Sequence, residues 1–388
     1  MILAHRIQLQ PRAKHVTAFN KACGVARYAW NWALDRWQKE YEAGGKPKAN
    51  DLKKQWNAEK PEWVYESPKD ANQTPFTNIN KAFQRFFKKL GKYPRFKRKG
   101  EHDSFYVSND KLSIDGHYVR LPKIGRVKMS EELRFSGKVM SATISREADR
   151  WFISFTVDTE IQPSHGDEII GIDLGVKDAV VLSDGSKFSG PKPLRRKLRT
   201  LKKRQRKHSR KQRGSNNRRK SAVRLACFHR KVKNQRKDFL HKVSSHIVSR
   251  AKTVVIEDLN VRGMLKNHCL ARAISDIGFY EFRRQLEYKC QMNGVELIIA
   301  DRWFPSTKLC RFCGTINEMT LADRVFTCDC GHVEDRDVNA AQNLRTLGFR
   351  GNHACGQEGS GFDLAVENET GLDEAGTQSL ATSTSCHI

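Results

Sequence analysis

The sequence predicts an α+β protein with several domains, and three features of the chain support this prediction. Apolar residues follow a strand-like alternation at residues 2–10, a helical period from about Val16, and a strand-like alternation again at residues 104–158. Further along, apolar β-branched runs alternate with helical segments, which is typical of an α/β domain. Four cysteines between residues 310 and 330 indicate a small metal-binding module. A chain of 388 residues is long enough for two or three domains with separate cores.

The composition favours a polyanionic partner and argues against a membrane-spanning protein. The formal net charge is +28 and the sequence pI is about 9.8, so nucleic acid would bind with release of counterions. An anionic membrane surface is the alternative partner. The mean hydropathy is −0.67, no apolar run approaches the roughly 20 residues of a membrane span, and the first residues carry no signal-peptide core. We therefore expect a soluble, cytoplasmic protein.

Residues 1–15 and 95–162 are predicted to form a small β-barrel, with a helical insertion at residues 16–94. The barrel strands are expected at residues 2–10, 104–107, 112–114, 118–121, 139–145 and 151–157. Within the insertion, two amphipathic helices are separated by a polar loop that ends near Ala71. Trp30 and Trp37 lie on the apolar face of the first helix, so core packing is favoured over base stacking for both.

The polar face of the second helix is a candidate nucleic-acid contact. Its amide, hydroxyl and amine side chains can reach base edges and phosphates, and they belong to Gln73, Thr77, Asn80, Lys81 and Gln84. The next segment interleaves basic and aromatic residues, which suits backbone contact with base stacking, and its candidates are Tyr93, Arg95, Lys97 and Arg98. For both segments, a solvated polar surface is the alternative.

Charge is distributed unevenly along the chain. Residues 192–237 contain 22 Lys or Arg and no Asp or Glu, and they are predicted to form two helices that are broken at Gly214-Ser215-Asn216-Asn217. Such helices would repel each other without a polyanion alongside, so we expect them to contact RNA or DNA backbones. By contrast, residues 351–388 contain no Lys or Arg and little apolar content, and we expect this tail to be disordered.

Three short acidic stretches are the candidates for a catalytic site. They are residues 169–176 with Asp173, residues 254–259 with Glu257 and Asp258, and residues 334–341 with Asp335 and Asp337. The first two are predicted to be buried strands, and strand alternation places Glu257 on the face opposite to Asp258. Burial of an ionised carboxylate is costly unless a cation meets it. Carboxylates that converge on magnesium would remove that cost and form a site that cuts phosphodiesters.

Four of the ten cysteines are clustered and predict a structural zinc site. Cys310 and Cys313 form one pair, and Cys328 and Cys330 form a second, tighter pair. Four thiolates give zinc a closed tetrahedral site, with His332 as an alternative fourth ligand. Such a site contributes folding free energy and no chemistry. The scattered cysteines are expected to be buried thiols, and they are Cys23, Cys227, Cys269 and Cys290.

Three motifs in this order resemble the RuvC-type nuclease of the transposon-encoded TnpB (OrfB) family, a relative of the type V CRISPR effectors. The motifs are GIDLGV from Gly171, VVIEDLNVRGM from Val254, and the four cysteines followed by DRDVNAAQNL from Asp335. The resemblance implies an RNase H-like (RuvC) α/β nuclease domain at residues 166–304 and 335–350, with a zinc ribbon inserted at residues 305–334. It also implies a wedge-like role for the β-barrel and a recognition role for the helical insertion.

The resemblance assigns catalysis to Asp173, Glu257 and Asp337, which would together hold two magnesium ions. Asp335 is the neighbouring competitor for the third position, and a helix N-cap is the structural alternative for Asp337. The family pattern favours the second of these two aspartates.

By this resemblance, we expect an RNA-guided DNA endonuclease with a transposon-derived guide RNA. It would recognise a target-adjacent motif in double-stranded DNA and cut both strands by two-metal-ion hydrolysis. We expect a monomeric ribonucleoprotein, associated with the nucleoid of a prokaryote. Two alternatives stay open, namely an RNA-guided DNA-binding repressor or transposition regulator that does not cut, and a strand-transfer transposase.

Overall fold

The computed structural model describes residues 1–161, 163–320 and 322–351, and these residues form a mixed α/β structure around two large sheets and one small sheet. The tail predicted to be disordered, residues 351–388, lies outside the described residues except for Gly351. None of the described helices is long and apolar enough to cross a membrane.

The first sheet is antiparallel and has seven strands. They are β1 (Ile2–Gln10), β2 (Ser104–Ser108), β3 (Ser113–Asp115), β4 (Tyr118–Leu121), β5 (Gly125–Met129), β6 (Lys138–Glu147) and β7 (Arg150–Asp158). Their order is β2-β6-β7-β1-β5-β4-β3, so the N-terminal strand lies in the middle of the sheet. Within residues 1–161, β2 and β3 are not paired with each other. The sheet therefore has two edge strands, and closure into the predicted barrel is not confirmed.

The strand β5 was not predicted from the sequence. Val127 and Met129 are fully buried on one face, whereas Arg126 and Lys128 are exposed on the other. The alternation covers only five residues and two of them are charged, so the pattern resembles that of a basic loop. Pairing with β1 and β4 on either side decides the conformation.

Three helices lie between β1 and β2. They are α1 (Ala13–Glu42), α2 (Ala49–Glu59) and α3 (Lys69–Phe87). The prediction of a polar loop that ends near Ala71 was wrong, because Leu52 and Trp56 of α2, one helical turn apart, are both buried. Trp56 packs against Trp32 and Phe76, with ring centroids 5.3 and 6.0 Å apart. Two apolar residues are too few to reveal this short helix in the sequence.

The tryptophans on the apolar face of α1 belong to the core, as predicted. Trp30 and Trp37 are each 7% exposed. Trp37 stacks on Phe83 of α3, with ring centroids 4.1 Å apart. The same core includes buried residues of β1, β6 and β7, so the three helices pack on the first sheet.

The second sheet has five strands. They are β8 (Glu168–Asp173), β9 (Val180–Leu182), β10 (Lys187–Phe188), β11 (Ala251–Glu257) and β12 (Glu296–Ala300). Their order is β10-β9-β8-β11-β12, with β11 parallel to both β8 and β12 and with β9 and β10 antiparallel to their neighbours. Because β8 and β11 are parallel, their carboxyl ends lie at the same edge of the sheet. The RNase H-like assignment of this sheet rests on the resemblance and stays a prediction.

Helices cover both faces of the second sheet. The described helices after β10 are α4 (Pro193–Ser209), α5 (Asn216–Arg250), α6 (Val261–Met264), α7 (Ala271–Ile277), α8 (Phe279–Asn293) and α9 (Arg336–Gly351). Ile172 and Ile256 share a buried cluster with residues of α5 and α8. Val255 points the other way and shares a cluster with Leu344 of α9. The sheet is therefore a middle layer, with α9 alone on one side of β8 and β11.

Two predicted elements differ in detail from the structure. The helix expected over residues 273–293 is divided, because Gly278 adopts a left-handed φ of 87° between α7 and α8. The strand β12 was expected to be buried, but it is an edge strand, and its Ile299 is 40% exposed. By contrast, the break predicted in the basic run is confirmed, and Ser215 caps the start of α5 by accepting a hydrogen bond from the N–H of Arg218 at 3.2 Å.

Close packing of α9 on β8 depends on glycine at position 171. A Cβ atom there would collide with the backbone carbonyl of Ala341 and lie 2.5 Å from the backbone nitrogen of Arg345. Gly348 meets the sheet in the same way, since its Cβ would lie 2.6 Å from a methyl group of Ile169. Backbone atoms cannot move aside as a flexible side chain can, so Gly171 fixes the distance between α9 and the sheet.

We expect Gly171→Ala to lower the free energy of unfolding by about 1–3 kcal/mol, because the added methyl group overpacks the interface with α9. Gly190→Ala is the matched control, since its new Cβ would meet only the Cβ of Ala179 at 3.4 Å. Urea denaturation of the two variants and the wild type measures the effect. Equal stability of all three proteins would contradict the packing argument.

Candidate functional site

Two of the predicted catalytic acids end neighbouring strands of the second sheet. Asp173 is the last residue of β8 and Glu257 is the last residue of β11. The pairing of the two strands matches Ile172 with Ile256, one residue before each acid. Asp173 is 7% exposed and Glu257 is partly buried. The backbone N–H of Leu174 donates to Oε1 of Glu257 at 3.0 Å and so links the two strand ends.

The two aspartates before and in α9 have different surroundings. Oδ1 of Asp335 accepts hydrogen bonds from the N–H groups of Asp337 and Val338, at 3.1 and 3.3 Å, and therefore caps the helix. Oδ2 of Asp335 lies 2.6 Å from Nζ of Lys187. Asp337 lies in the first turn of α9, and its carboxylate is 3.2 Å from the guanidinium of Arg336. The capping function considered for Asp337 belongs to Asp335.

The electrostatics bring Asp173, Glu257 and Asp337 into one group. Burial raises the pKa of Asp173 well above its usual range, and the negative charges of Glu257, Asp337 and, least, Asp335 raise it further, while Arg336 offsets part of the effect. Burial also raises the pKa of Glu257 to about 7, against the smaller lowering by the Leu174 N–H. The three acids thus share one electrostatic environment, although among the described residues their oxygens do not all lie within 4.8 Å of one another. Oxygen donors with uncompensated negative charge suit a hard divalent cation such as magnesium.

The four predicted zinc ligands form a compact cluster in the ribbon, which contains β13 (Val325–Thr327) and β14 (Val333–Asp335). Their sulfur atoms all lie within 4.8 Å of one another, and the described residues contain no other group of three or more His, Cys, Asp or Glu ligands as close as this. The Cys310–Cys330 and Cys313–Cys328 sulfur pairs are 3.6 and 3.4 Å apart. Four sulfurs at about 2.3 Å from one zinc would be separated by roughly 3.8 Å, so the donor set fits zinc.

His332, the alternative fourth ligand, lies outside the cysteine cluster. Its ring packs against Phe312 and Phe326, with centroids 4.6 and 5.8 Å apart. Its Nε2 atom lies 3.3 Å from a carboxylate oxygen of Glu334. The geometry therefore favours Cys330 as the fourth ligand.

The ribbon positions the first turns of α9 through two asparagines that sequence reasoning did not select. The side-chain amide of Asn339 donates to the carbonyl of Leu309 at 2.9 Å. That of Asn343 donates to the carbonyls of Ser306 and Leu309, at 2.8 and 2.7 Å. Both asparagines are almost fully buried. Two polar residues four positions apart on an otherwise apolar helix face were the available signal.

Comparisons with known proteins agree with these features. Three family models match the chain: OrfB of the IS605 group, described as "Probable transposase", at residues 152–268, the Cas12f1-like TNB domain at residues 279–344, and a helix-turn-helix domain at residues 1–46. A "Putative RNA-guided DNA endonuclease" of Streptomyces pristinaespiralis is 37% identical over 365 residues, with 91% of this chain and 90% of that protein covered. This chain belongs to the TnpB (OrfB) family.

Further similarities extend over most of this TnpB-family chain. "Putative RNA-guided DNA endonuclease InsQ" of Escherichia coli K12 is 31% identical, with 91% of this chain and 94% of that protein covered. The fold is similar to that of the protein in the cryo-EM structure of a Cas12f1-sgRNA-target DNA complex, with a TM-score of 0.56 and 16% identity, covering 84% of this chain and 82% of that chain. Residues 1–46, which match the helix-turn-helix model, contain the strand β1 and the single long helix α1.

The predicted nucleic-acid contacts of this TnpB-family protein fall into two groups. Thr77, Asn80, Lys81 and Gln84 are exposed along α3, whereas Gln73 is partly buried and donates to Asn57 and Asn72. In the following segment, Tyr93 packs edge-on against Phe83 and Phe86. Thr77, Lys81 and Lys97 line one cavity of about 390 Å³ between α3 and β2, which brings the helix and the basic segment together.

The basic segment is attached to α1 through its backbone. The indole N–H of Trp30 donates to the carbonyl of Arg95 at 3.0 Å. The side chain of Asn31 exchanges two hydrogen bonds with the backbone of Lys97, at 2.7 and 3.0 Å. The Lys97 ammonium lies over the Trp30 ring at 4.2 Å, and burial lowers its pKa. The side chains of Arg95 and Arg98 are exposed.

The helices α4 and α5 form a basic antiparallel pair. They contact each other through a small apolar cluster that contains Leu201, Phe228 and Val232. Two cavities of about 880 and 790 Å³ adjoin them, and Arg and Lys make up half of the lining residues in the larger cavity and nearly all of them in the smaller one. The carboxylate of Asp276 in α7 accepts from the N–H groups of Leu194 and Arg195 and so caps α4.

The raised pKa of Glu257 predicts a pH-dependent stability in magnesium-free buffer. Between pH 4.5, its ordinary pKa, and about 7, the folded protein binds more protons than the unfolded chain. The free energy of unfolding should therefore fall as the pH rises through this interval, by roughly 1.4 kcal/mol per pH unit for one proton. Glu257→Gln should reduce this slope, whereas Glu168→Gln, at the other end of β8, should retain it. Denaturation curves across the interval measure the slopes, and identical slopes for Glu257→Gln and the wild type would contradict the prediction.

We expect Cys310→Ser to reduce the bound zinc and to loosen the ribbon, because a ligand of the closed site is lost. Elemental analysis should give less than one zinc per chain, and limited proteolysis should cut within residues 305–334. Cys269→Ser is the control, since Cys269 lies outside the cluster and, contrary to the prediction of a buried thiol, is exposed. Full zinc content and unchanged protease resistance in Cys310→Ser would rule out the zinc ribbon.

Proposed function

We propose that this chain is an RNA-guided DNA endonuclease whose active site consists of Asp173, Glu257 and Asp337. Two relatives that carry this activity in their names align over about nine tenths of the chain. The observation that carries the proposal is the shared electrostatic environment of the three acids, in which the pKa of Asp173 is raised by burial and then by the other two charges. A scaffold that only bound DNA would have no need to maintain this repulsion.

The three carboxylates would hold two magnesium ions. When bound, such ions supply an activated water nucleophile and stabilise the leaving 3′ oxygen of a phosphodiester. The chain itself holds the carboxylates in place: β8 and β11 present Asp173 and Glu257, and the Leu174 N–H orients Glu257. Asp335 stays outside this set because its oxygens are engaged with Lys187 and the first N–H groups of α9.

The basic pair α4 and α5 is the proposed contact for the guide RNA and its heteroduplex with target DNA. The run of 22 Lys or Arg falls almost entirely on these two helices. The large cavities beside them are open and cationic, which suits nucleic-acid backbones better than a small molecule. Beyond the target-adjacent motif, specificity would then come from base pairing.

The target-adjacent motif is assigned to the exposed face of α3 and the basic segment after it. Thr77, Lys81 and Lys97 share one cavity, so a hydroxyl and two ammonium groups can meet the same stretch of duplex. The remaining candidates on this surface are Asn80, Gln84, Arg95 and Arg98. Gln73 and Tyr93 are more engaged with the protein and would act by holding this surface in shape.

Each predicted domain has its own proposed role. The wedge-like domain comprises residues 1–15 and 95–162, and the recognition insertion comprises residues 16–94. The nuclease domain comprises residues 166–304 and 335–350, and the zinc ribbon comprises residues 305–334. The ribbon serves the nuclease domain by fixing α9, and with it Asp337, against the sheet.

Asp173→Asn, Glu257→Gln and Asp337→Asn should each reduce magnesium-dependent plasmid cleavage by the purified ribonucleoprotein by roughly 100-fold or more, while guide RNA binding is retained. The substitutions keep the shape of each side chain and remove its charge. Glu168→Gln is the matched control and should cut like the wild type, since Glu168 pairs with Arg250 at the opposite end of β8.

Retained cutting by any one of the three variants would refute its assignment. A wild-type ribonucleoprotein that binds its target without cutting would favour the repressor or regulator, and joined rather than cleaved ends would favour strand transfer.

A further inference from the structure

We propose that a cleft beside Glu257 is a binding subsite for one nucleotide of the single DNA strand that is being cut. This inference rests on the proposed endonuclease function and adds the residues that hold its substrate. The cleft lies between the end of β11, the short helix α6 and the helix α8, and Glu257 is part of its wall. Its volume of about 380 Å³ is within the range of small-ligand pockets.

Arginines dominate the charged lining of the cleft. Four guanidinium groups line it, against two carboxylates, those of Glu257 and Glu287, and ion pairs with Asp258, Glu281 and Glu287 hold three of the four arginines. The four are Arg262, Arg283, Arg284 and Arg302. A phosphodiester substrate requires arginines next to the acids of the proposed metal site. The arginines attract its phosphate while its reacting atoms approach the acids.

Asp258 holds two of these arginines in place. Its carboxylate lies 2.6 Å from Nη1 of Arg283 and 2.5 Å from Nη2 of Arg302. The two guanidiniums come from different elements, α8 and the segment after β12, and this one carboxylate joins them. A guanidinium has five N–H donors. Among the described residues, hydrogen bonds to carboxylates occupy Nη1 and Nε of Arg283 and Nη2 of Arg302. Each of these two guanidinium groups therefore retains N–H donors for a phosphate.

An aromatic ring stands at the same cleft. Tyr280 lines it and is 71% exposed, whereas its neighbour Phe279 is 2% exposed in the core. Packing within the protein therefore does not account for the position of the Tyr280 ring. An exposed aromatic ring beside arginines is the usual platform for an unpaired base. A base on Tyr280 with its phosphate on the arginine pair describes one nucleotide, next to the acids that would cut the strand.

The occupant must be single-stranded. A base within a duplex is already paired and stacked on its neighbours, so its face is not free for Tyr280. The strand to be cut becomes unpaired when the guide RNA pairs with the complementary strand. The subsite would therefore accept substrate only after guide pairing, without a separate moving part.

The test measures binding of a fluorescein-labelled thymidine 12-mer to the guide-loaded protein in magnesium-free buffer, by fluorescence anisotropy. Tyr280→Ala and Arg302→Gln should each raise Kd about fivefold or more, and Tyr280→Phe should bind like the wild type, because it keeps the ring. Tyr41→Ala, which removes an exposed ring from α1 outside the cleft, and Arg126→Gln, which removes one exposed guanidinium from β5, are the matched controls and should leave Kd unchanged.

Wild-type binding by Tyr280→Ala would overturn the subsite, and so would an equal loss in Tyr41→Ala. Tighter binding of a uridine 12-mer through Tyr280 would overturn its assignment to the DNA strand. The readout is independent of cutting. A protein that never cuts, but loses binding in the cleft variants, would refute the endonuclease and keep the subsite. A protein that cuts, with normal binding in these variants, would refute the subsite alone.

Discussion

Repulsion among three carboxylates is the interaction on which the rest of the structure depends. Strand direction makes it unavoidable, because two parallel neighbours end in Asp173 and Glu257 at the same edge of the sheet. The first turn of α9 then adds Asp337. Burial prevents water from screening these charges, and Arg336 offsets only part of them. Divalent cations are the ligands that would turn this cost into binding free energy.

The packing around α9 holds this arrangement, in which Arg336 compensates only part of the negative charge. Gly171 lets the helix approach the sheet to backbone contact, and Asn339 and Asn343 fix its other side to the ribbon. The cysteine cluster in turn holds the ribbon. The ribbon contacts the first turns of α9, so the position of Asp337 depends on the cysteine cluster although the two share no residue.

The sequence was sufficient wherever a single periodicity or spacing dominates. Strand alternation separated Glu257 from Asp258, and cysteine spacing identified the cluster. It failed where long-range pairing decides local structure, as in β5, which is stabilised by its neighbours, and in α2, which is stabilised by Trp56 in a pocket of other rings. Spacing also could not predict which of Asp335 and Asp337 caps α9. Asp335 does so, and it also pairs with Lys187, which is far away in sequence and lies 2.6 Å from it.

The last residue of β11, Glu257, and the residue after it, Asp258, lie in opposite electrostatic environments. Glu257 faces the acids, where burial raises its pKa to about 7, and Asp258 faces away, where hydrogen bonds from Arg283 and Arg302 lower its pKa. The carboxylate of Glu257 thus has little positive charge around it, whereas that of Asp258 pairs with two guanidinium groups. Because side chains alternate along an extended chain, this contrast needs no additional structure. The same backbone therefore places an acid of the proposed metal site next to the arginines of the proposed phosphate contact, and a shift of one residue in the register of β11 would exchange the two carboxylates.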